Sequence, residues 1–132
     1  MLPYLDELRL LNLPDKQYAI FGSGPMAVRG LRQAHDLDLL IKKDLWDELA
    51  KIYPLDEKGV ALRAGHIELF SHWEPWFKDT DQLIETAEVI DGLPFVRLEY
   101  VLEWKKQMGR EKDKQDVVLI EKYLTGQASS GI

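Results

Sequence analysis

Apolar residues recur along this chain at two spacings, and the switches between them mark the elements. Leu5, Leu8 and Leu11 follow Pro3 at helical intervals, so residues 3–11 read as a short amphipathic helix that Pro14 and Asp15 end. Tyr18 to Phe21 is a compact apolar run closed by Gly22-Ser23-Gly24, the pattern of a buried strand entering a sharp turn. A short helix is expected from Pro25 to Arg32. From Asp36 to Ile41 the residues Leu37, Leu39 and Ile41 alternate with Asp36, Asp38 and Leu40, which predicts a second strand with both carboxylates on one face.

Leu45, Leu49 and Ile52 return to helical spacing over 43–53, and Pro54 stops the pattern. Residues 60–63 and 66–70 read as a hairpin around Ala64-Gly65. After the aromatic stretch SHWEPWF, a helix is expected over 80–85, then strands at 87–90 and 95–96 around Asp91-Gly92. Leu98, Val101, Leu102 and Met108 place a helix over 97–108 with Gly109 as its stop signal. Asp113 reads as the cap of a last helix carrying Val117, Ile120, Tyr123 and Leu124. This order predicts one α/β or α+β domain over 1–124, a mixed sheet flanked by helices, with a disordered tail at 125–132.

Composition narrows the function classes. The chain has 132 residues, 45% of them hydrophobic and 30% charged, ordinary values for one folded core. A domain this size leaves no room for a separate substrate-binding domain, so a homodimer or a partner protein would complete it. The net charge of −6 argues against extensive nucleic-acid binding, although Lys105, Lys106, Arg110, Lys112 and Lys114 form a local basic patch. With no cysteine, a thiol nucleophile and a disulfide framework are excluded, and any metal needs oxygen or imidazole ligands. No apolar run spans a bilayer and the acidic start lacks a signal peptide's positive charge, so a soluble cytoplasmic protein is expected.

The segment from Phe21 to Ile41 carries the chemistry. Gly22 and Gly24 permit backbone angles and close approach denied to larger residues, so the loop's N–H groups can face an anion, and Ser23 adds a hydroxyl donor. Asp36 and Asp38, two apart on a strand, project the same way with Cα atoms ~7 Å apart. Such a pair needs a cation if both stay ionised, and hard oxygen ligands suit Mg²⁺ or Mn²⁺ bridging to phosphates. Glu68 lies mid-strand between apolar neighbours and could complete a metal site or act as a base.

A strand ending in Gly-Ser, a short helix and Asp-x-Asp in the next strand resembles the nucleotidyltransferase superfamily of DNA polymerase β type. The resemblance covers residues 18–41, with Glu68 matching the third acid. Residues 109–124, GREKDKQDVVLIEKYL, resemble the C-terminal helix of small bacterial members, where a Lys-Asp pair is followed by another Asp. His35, where a small hydroxyl residue is usual, and Glu68, where Asp is common, depart from the pattern. The resemblance implies transfer of a nucleoside monophosphate from an NTP to a hydroxyl acceptor. It would place metal on Asp36, Asp38 and Glu68, phosphates on Gly22 and Ser23, with Arg29 and Lys112 as further nucleotide contacts and Glu68 activating the acceptor.

Competing readings attach to the same residues. Gly22, Gly24 and Ala27, with Asp44 twenty positions past Gly24, also fit a Rossmann-type dinucleotide fingerprint, and a binding module without turnover would keep the same fold. Asp36 and Asp38 could face solvent, and Glu68 could pair with Arg63. His35, His66 and His72 lack zinc-ligand spacing, and Trp73, Trp76 and Phe77 read as packing rather than base stacking. Arg32, near the loop, shares Arg29's choice between phosphate and solvent.

Overall fold

The computed structural model describes residues 2–73 and 75–130, with side chains described as far as Gly126. Strands β1 (Tyr18–Phe21), β2 (Leu37–Ile41), β3 (Leu62–Ala64), β4 (Ile67–Phe70), β5 (Glu88–Ile90) and β6 (Leu93–Phe95) form one mixed sheet in the order β3-β4-β2-β1-β6-β5. β1 runs antiparallel to β2, while β2 is parallel to β4 and β1 is parallel to β6. The helices are α1 (Leu5–Leu11), α2 (Gly24–Ala27), α3 (Lys43–Leu49), α4 (Thr80–Glu85), α5 (Leu98–Met108) and α6 (Glu111–Ser130). The architecture is a single α+β domain with a mixed sheet, as the periodicities predict.

Helices cover both faces of the sheet. Ile20, Leu37, Leu39, Ile41 and Leu69 pack with Leu8 of α1 and Leu49 of α3. Ala19, Phe21 and Leu40 point the other way, against Leu83 and Ile84 of α4, Val101 and Trp104 of α5 and Ile120 of α6. This explains why β1 is buried at every position and β2 at every position but Asp38. A slip of one residue would turn Leu37, Leu39 and Ile41 away from their cluster. Each such side chain contributes about 1.5–3 kcal/mol on burial, so together they fix the register that carries Asp38.

Three local readings need correction. The helix expected over 25–32 is one turn, because the Leu31 N–H bonds the Met26 carbonyl and the Gly30 N–H that of Ala27, with Gly30 at φ +73°. This is a Schellman closure, and Gly30 is the left-handed residue that permits it. Asp113 does not begin the last helix. It stands at the third position and accepts a hydrogen bond from the Arg110 N–H at 3.1 Å, the returning half of a capping box.

The tail read as disordered from 125 continues α6 to Ser130. Extending a formed helix fixes one residue at a time, so Gly126 weakens it without ending it. Residues 131–132 lie outside the described residues. No helix among the described residues is long and apolar enough to cross a membrane.

Candidate functional site

The tight turn after β1 and the carboxylate of β2 are built as a unit. Gly22 has φ +64°, a region that favours glycine, and the Asp38 Oδ2 lies 2.7 Å from where a Cβ on Gly22 would stand. Any side chain at 22 would displace the carboxylate. The register explains the meeting, because Phe21, the last residue of β1, sits opposite Asp38. Phe21 is anchored beneath the turn by Trp73 at 4.7 Å and Trp104 at 5.2 Å between ring centroids. Trp73 and Phe77 are therefore core residues, and Trp76 is half-buried against Trp104.

Asp38 also faces a second acid. β4 lies beside β2 with Glu68 directly opposite Asp38, so the adjacency that sequence could only suppose is present. Arg63 is the cross-strand neighbour of Glu68 on β3, yet no ion pair joins them. Asp36 stands exposed one residue ahead of β2. Burial, then the charge of Glu68, then that of Asp36 push the Asp38 carboxyl up to about 7. None of the three acids receives a hydrogen bond or a cation from the described residues.

These donors fit a divalent cation in part. Hard carboxylate oxygens in uncompensated negative potential are what Mg²⁺ or Mn²⁺ requires. The three-ligand set expected from Asp36, Asp38 and Glu68 is not assembled, since among the described residues no three His, Asp or Glu side chains could hold a metal ion together. Mg²⁺ usually takes one or two carboxylates and completes its octahedron with water and phosphate oxygens, and Asp38 and Glu68, adjacent across β2 and β4, are the residues that would offer that number.

Of the expected nucleotide contacts, Gly22 is at Asp38, Ser23 follows it in the turn, and Arg29 is engaged elsewhere. The Arg29 guanidinium is 7% exposed, paired with Glu88 at 2.5 Å and donating to the Pro25 carbonyl at 2.6 Å. It lies over the Tyr123 ring and joins α6 to β5. Ser23 is half-buried and its hydroxyl makes no hydrogen bond among the described residues. Lys112 is exposed and makes no ion pair among the described residues, unlike its neighbours Lys105, Lys106, Arg110 and Lys114.

Lys112 lines a groove of about 280 Å³ with Arg32, Gln33, His35 and Gln115, residues that bring α6 against the segment leading to Asp36. Behind it lies a buried ionic network. Asp116 accepts Arg32 at 2.6 Å and Lys105 at 3.0 Å, and Asp113 accepts Arg110 at 2.6 Å and Lys105 at 3.5 Å. Sequence reading missed Lys105 and Asp116 as a pair. Their signal was present in helical spacing, since Lys105 lies four residues after Val101 and Asp116 four before Ile120, each on the buried face of its helix.

Other hollows lie elsewhere. A larger one of about 690 Å³, around Tyr18, Lys42 and Pro94, opens at the opposite end of β1 and β2 from Asp38. An apolar one lined by Leu2, Leu5, Val28 and Phe95 lies on the α1 face. The dinucleotide fingerprint finds no βαβ unit, because β1 and β2 are antiparallel where that unit requires parallel strands. His66 is engaged at the β3–β4 turn, where Tyr4 stacks on it at 4.5 Å and Glu7 holds its Nδ1 at 3.0 Å. Compared with known proteins, the chain matches no family model, no curated protein and no solved structure.

Proposed function

We propose that this chain is a metal-dependent nucleotidyltransferase that moves a nucleoside monophosphate from an NTP to a hydroxyl of a small-molecule or macromolecular acceptor. The observation that carries the reading is the Asp38 carboxylate held against the Gly22 turn with Glu68 opposite and no cation supplied by the described residues. On this reading Asp38, with Asp36 or Glu68, holds Mg²⁺ or Mn²⁺, which supplies Lewis-acid stabilisation of the phosphate charge when bound. The backbone at Gly22 and Ser23 steadies the leaving phosphates. The acceptor oxygen bonds to the α-phosphorus as the bond to the pyrophosphate oxygen breaks, and Glu68 takes the hydroxyl proton.

Pyrophosphate release from the four NTPs, with and without Mg²⁺, tests this directly. Turnover that needs metal and is lost in Asp38→Asn is expected, and full activity in Asp38→Asn would overturn the assignment. A thermal shift that requires NTP and Mg²⁺ together should accompany turnover, whereas a shift with NAD instead would favour a dinucleotide binder. A second reading, a non-catalytic nucleotide-binding or partner-binding module, draws on Asp36 standing exposed outside the strand and on the incomplete cage. It expects NTP to bind with no pyrophosphate released.

A further inference from the structure

The groove between α6 and the 32–35 segment is more than a surface fold. Its walls carry Arg32, His35 and Lys112, and its floor is the inward carboxylate Asp116, whose side chain is 6% exposed. That floor is compensated twice over, by Lys105 from inside and Arg32 from the groove. Counting the linked ionised groups gives three cations, Lys105, Arg110 and Arg32, against two anions, Asp113 and Asp116. The excess is one positive charge, and Lys112 adds a second at the rim. Arg32, with a side chain 32% exposed, is the cation of the network that lines the groove.

We infer that this groove binds a polyphosphate, with Arg32 and Lys112 as its ligands and Asp116 as the residue that positions Arg32. A guanidinium presents several donors in a fixed plane, so anchoring one edge on Asp116 leaves the remaining N–H groups aimed outward with less rotamer freedom to lose. Gln33 and Gln115 add neutral donors along the same walls. His35 on the groove wall is the chain neighbour of Asp36, so the groove adjoins the segment that leads into β2. The identity of the anion as the tail of an NTP rests on the nucleotidyl-transfer reading, whereas the site itself does not.

Calorimetry with inorganic tripolyphosphate in the presence of a chelator separates the two. The whole chain should bind it with an affinity that falls as salt rises. Lys112→Ala, an exposed change that leaves the fold alone, and Arg32→Ala should each weaken binding about tenfold, as expected for loss of one charge-assisted contact. Asp116→Asn should weaken it by less, and Arg32→Lys should restore part of what Arg32→Ala loses. Binding unchanged in both Lys112→Ala and Arg32→Ala would overturn the site, even if NTP turnover is found. Binding lost in both would sustain it even if no turnover occurs, which would count against the catalytic reading alone.

Discussion

Two regions of this molecule draw carboxylates out of water to different depths and treat the charge in opposite ways. Between α5 and α6, Asp113 and Asp116 are 0% and 4% exposed, and each meets two cations. At the Gly22 turn, Asp38, Glu68 and Asp36 meet none among the described residues. Burial pushes the Asp113 carboxyl up, but the Arg110 guanidinium and N–H and the Lys105 ammonium outweigh it and hold the group below the ordinary carboxylate range. At Asp38 burial acts in the same direction and the neighbours reinforce it. Depth does not decide a carboxylate's state; the sign of what converges on it does. On the reading proposed above, the bare group is the one that would take a cation from outside.

Breaking the compensated side should have the largest effect. Lys105→Met leaves Asp113 and Asp116 buried beside a neutral side chain, and a loss of about 3–5 kcal/mol in urea unfolding is expected. A loss below about 1 kcal/mol would mean the network does not support the α5–α6 pair.

The bare side should respond in the opposite sense. A carboxyl whose folded pKa lies above its unfolded one binds an extra proton in the folded state between the two values. Asp38 therefore costs stability as pH rises from 3.8 to about 7, and the loss is complete above that. Asp38→Asn should unfold later than the parent at pH 8 by on the order of 1–3 kcal/mol and lose that part of the pH slope, while NTP turnover disappears. If melting curves at pH 5 and pH 8 give no gain for the variant at the higher pH, Asp38 is not the uncompensated group described above.

An exposed pair supplies the lower bound. Lys43 and Asp47 meet at 2.6 Å on α3 with both side chains more than half exposed. Lys43→Ala should change stability by less than about 0.5 kcal/mol, because solvent already satisfies both charges. A larger change there would blur the contrast between the two buried regions.

Most elements were legible because their signals are local. Tyr18–Phe21 and Thr80–Glu85 fall where their patterns predict, and the Asp91-Gly92 turn forms with both residues at positive φ. Misreadings came where a backbone closure or a distant partner decides. The Schellman turn at Gly30 cut α2 short, and Asp113 serves the helix start from its third position rather than the first. At the site, the turn and the acids could be named in advance, but Arg29, adjacent in sequence, is drawn away by Glu88, a residue 59 positions later.

What the sequence determined alone is therefore the order of elements, the glycine turn and the three acids, since period, turn chemistry and residue type are properties of short stretches. Only the tertiary structure decided that Glu68 stands opposite Asp38, that Asp36 stays outside the strand and that Lys105 serves two buried aspartates. Those facts depend on which strands become neighbours and which helix covers them. That choice is made by burying apolar faces over the whole chain, and no local window contains it.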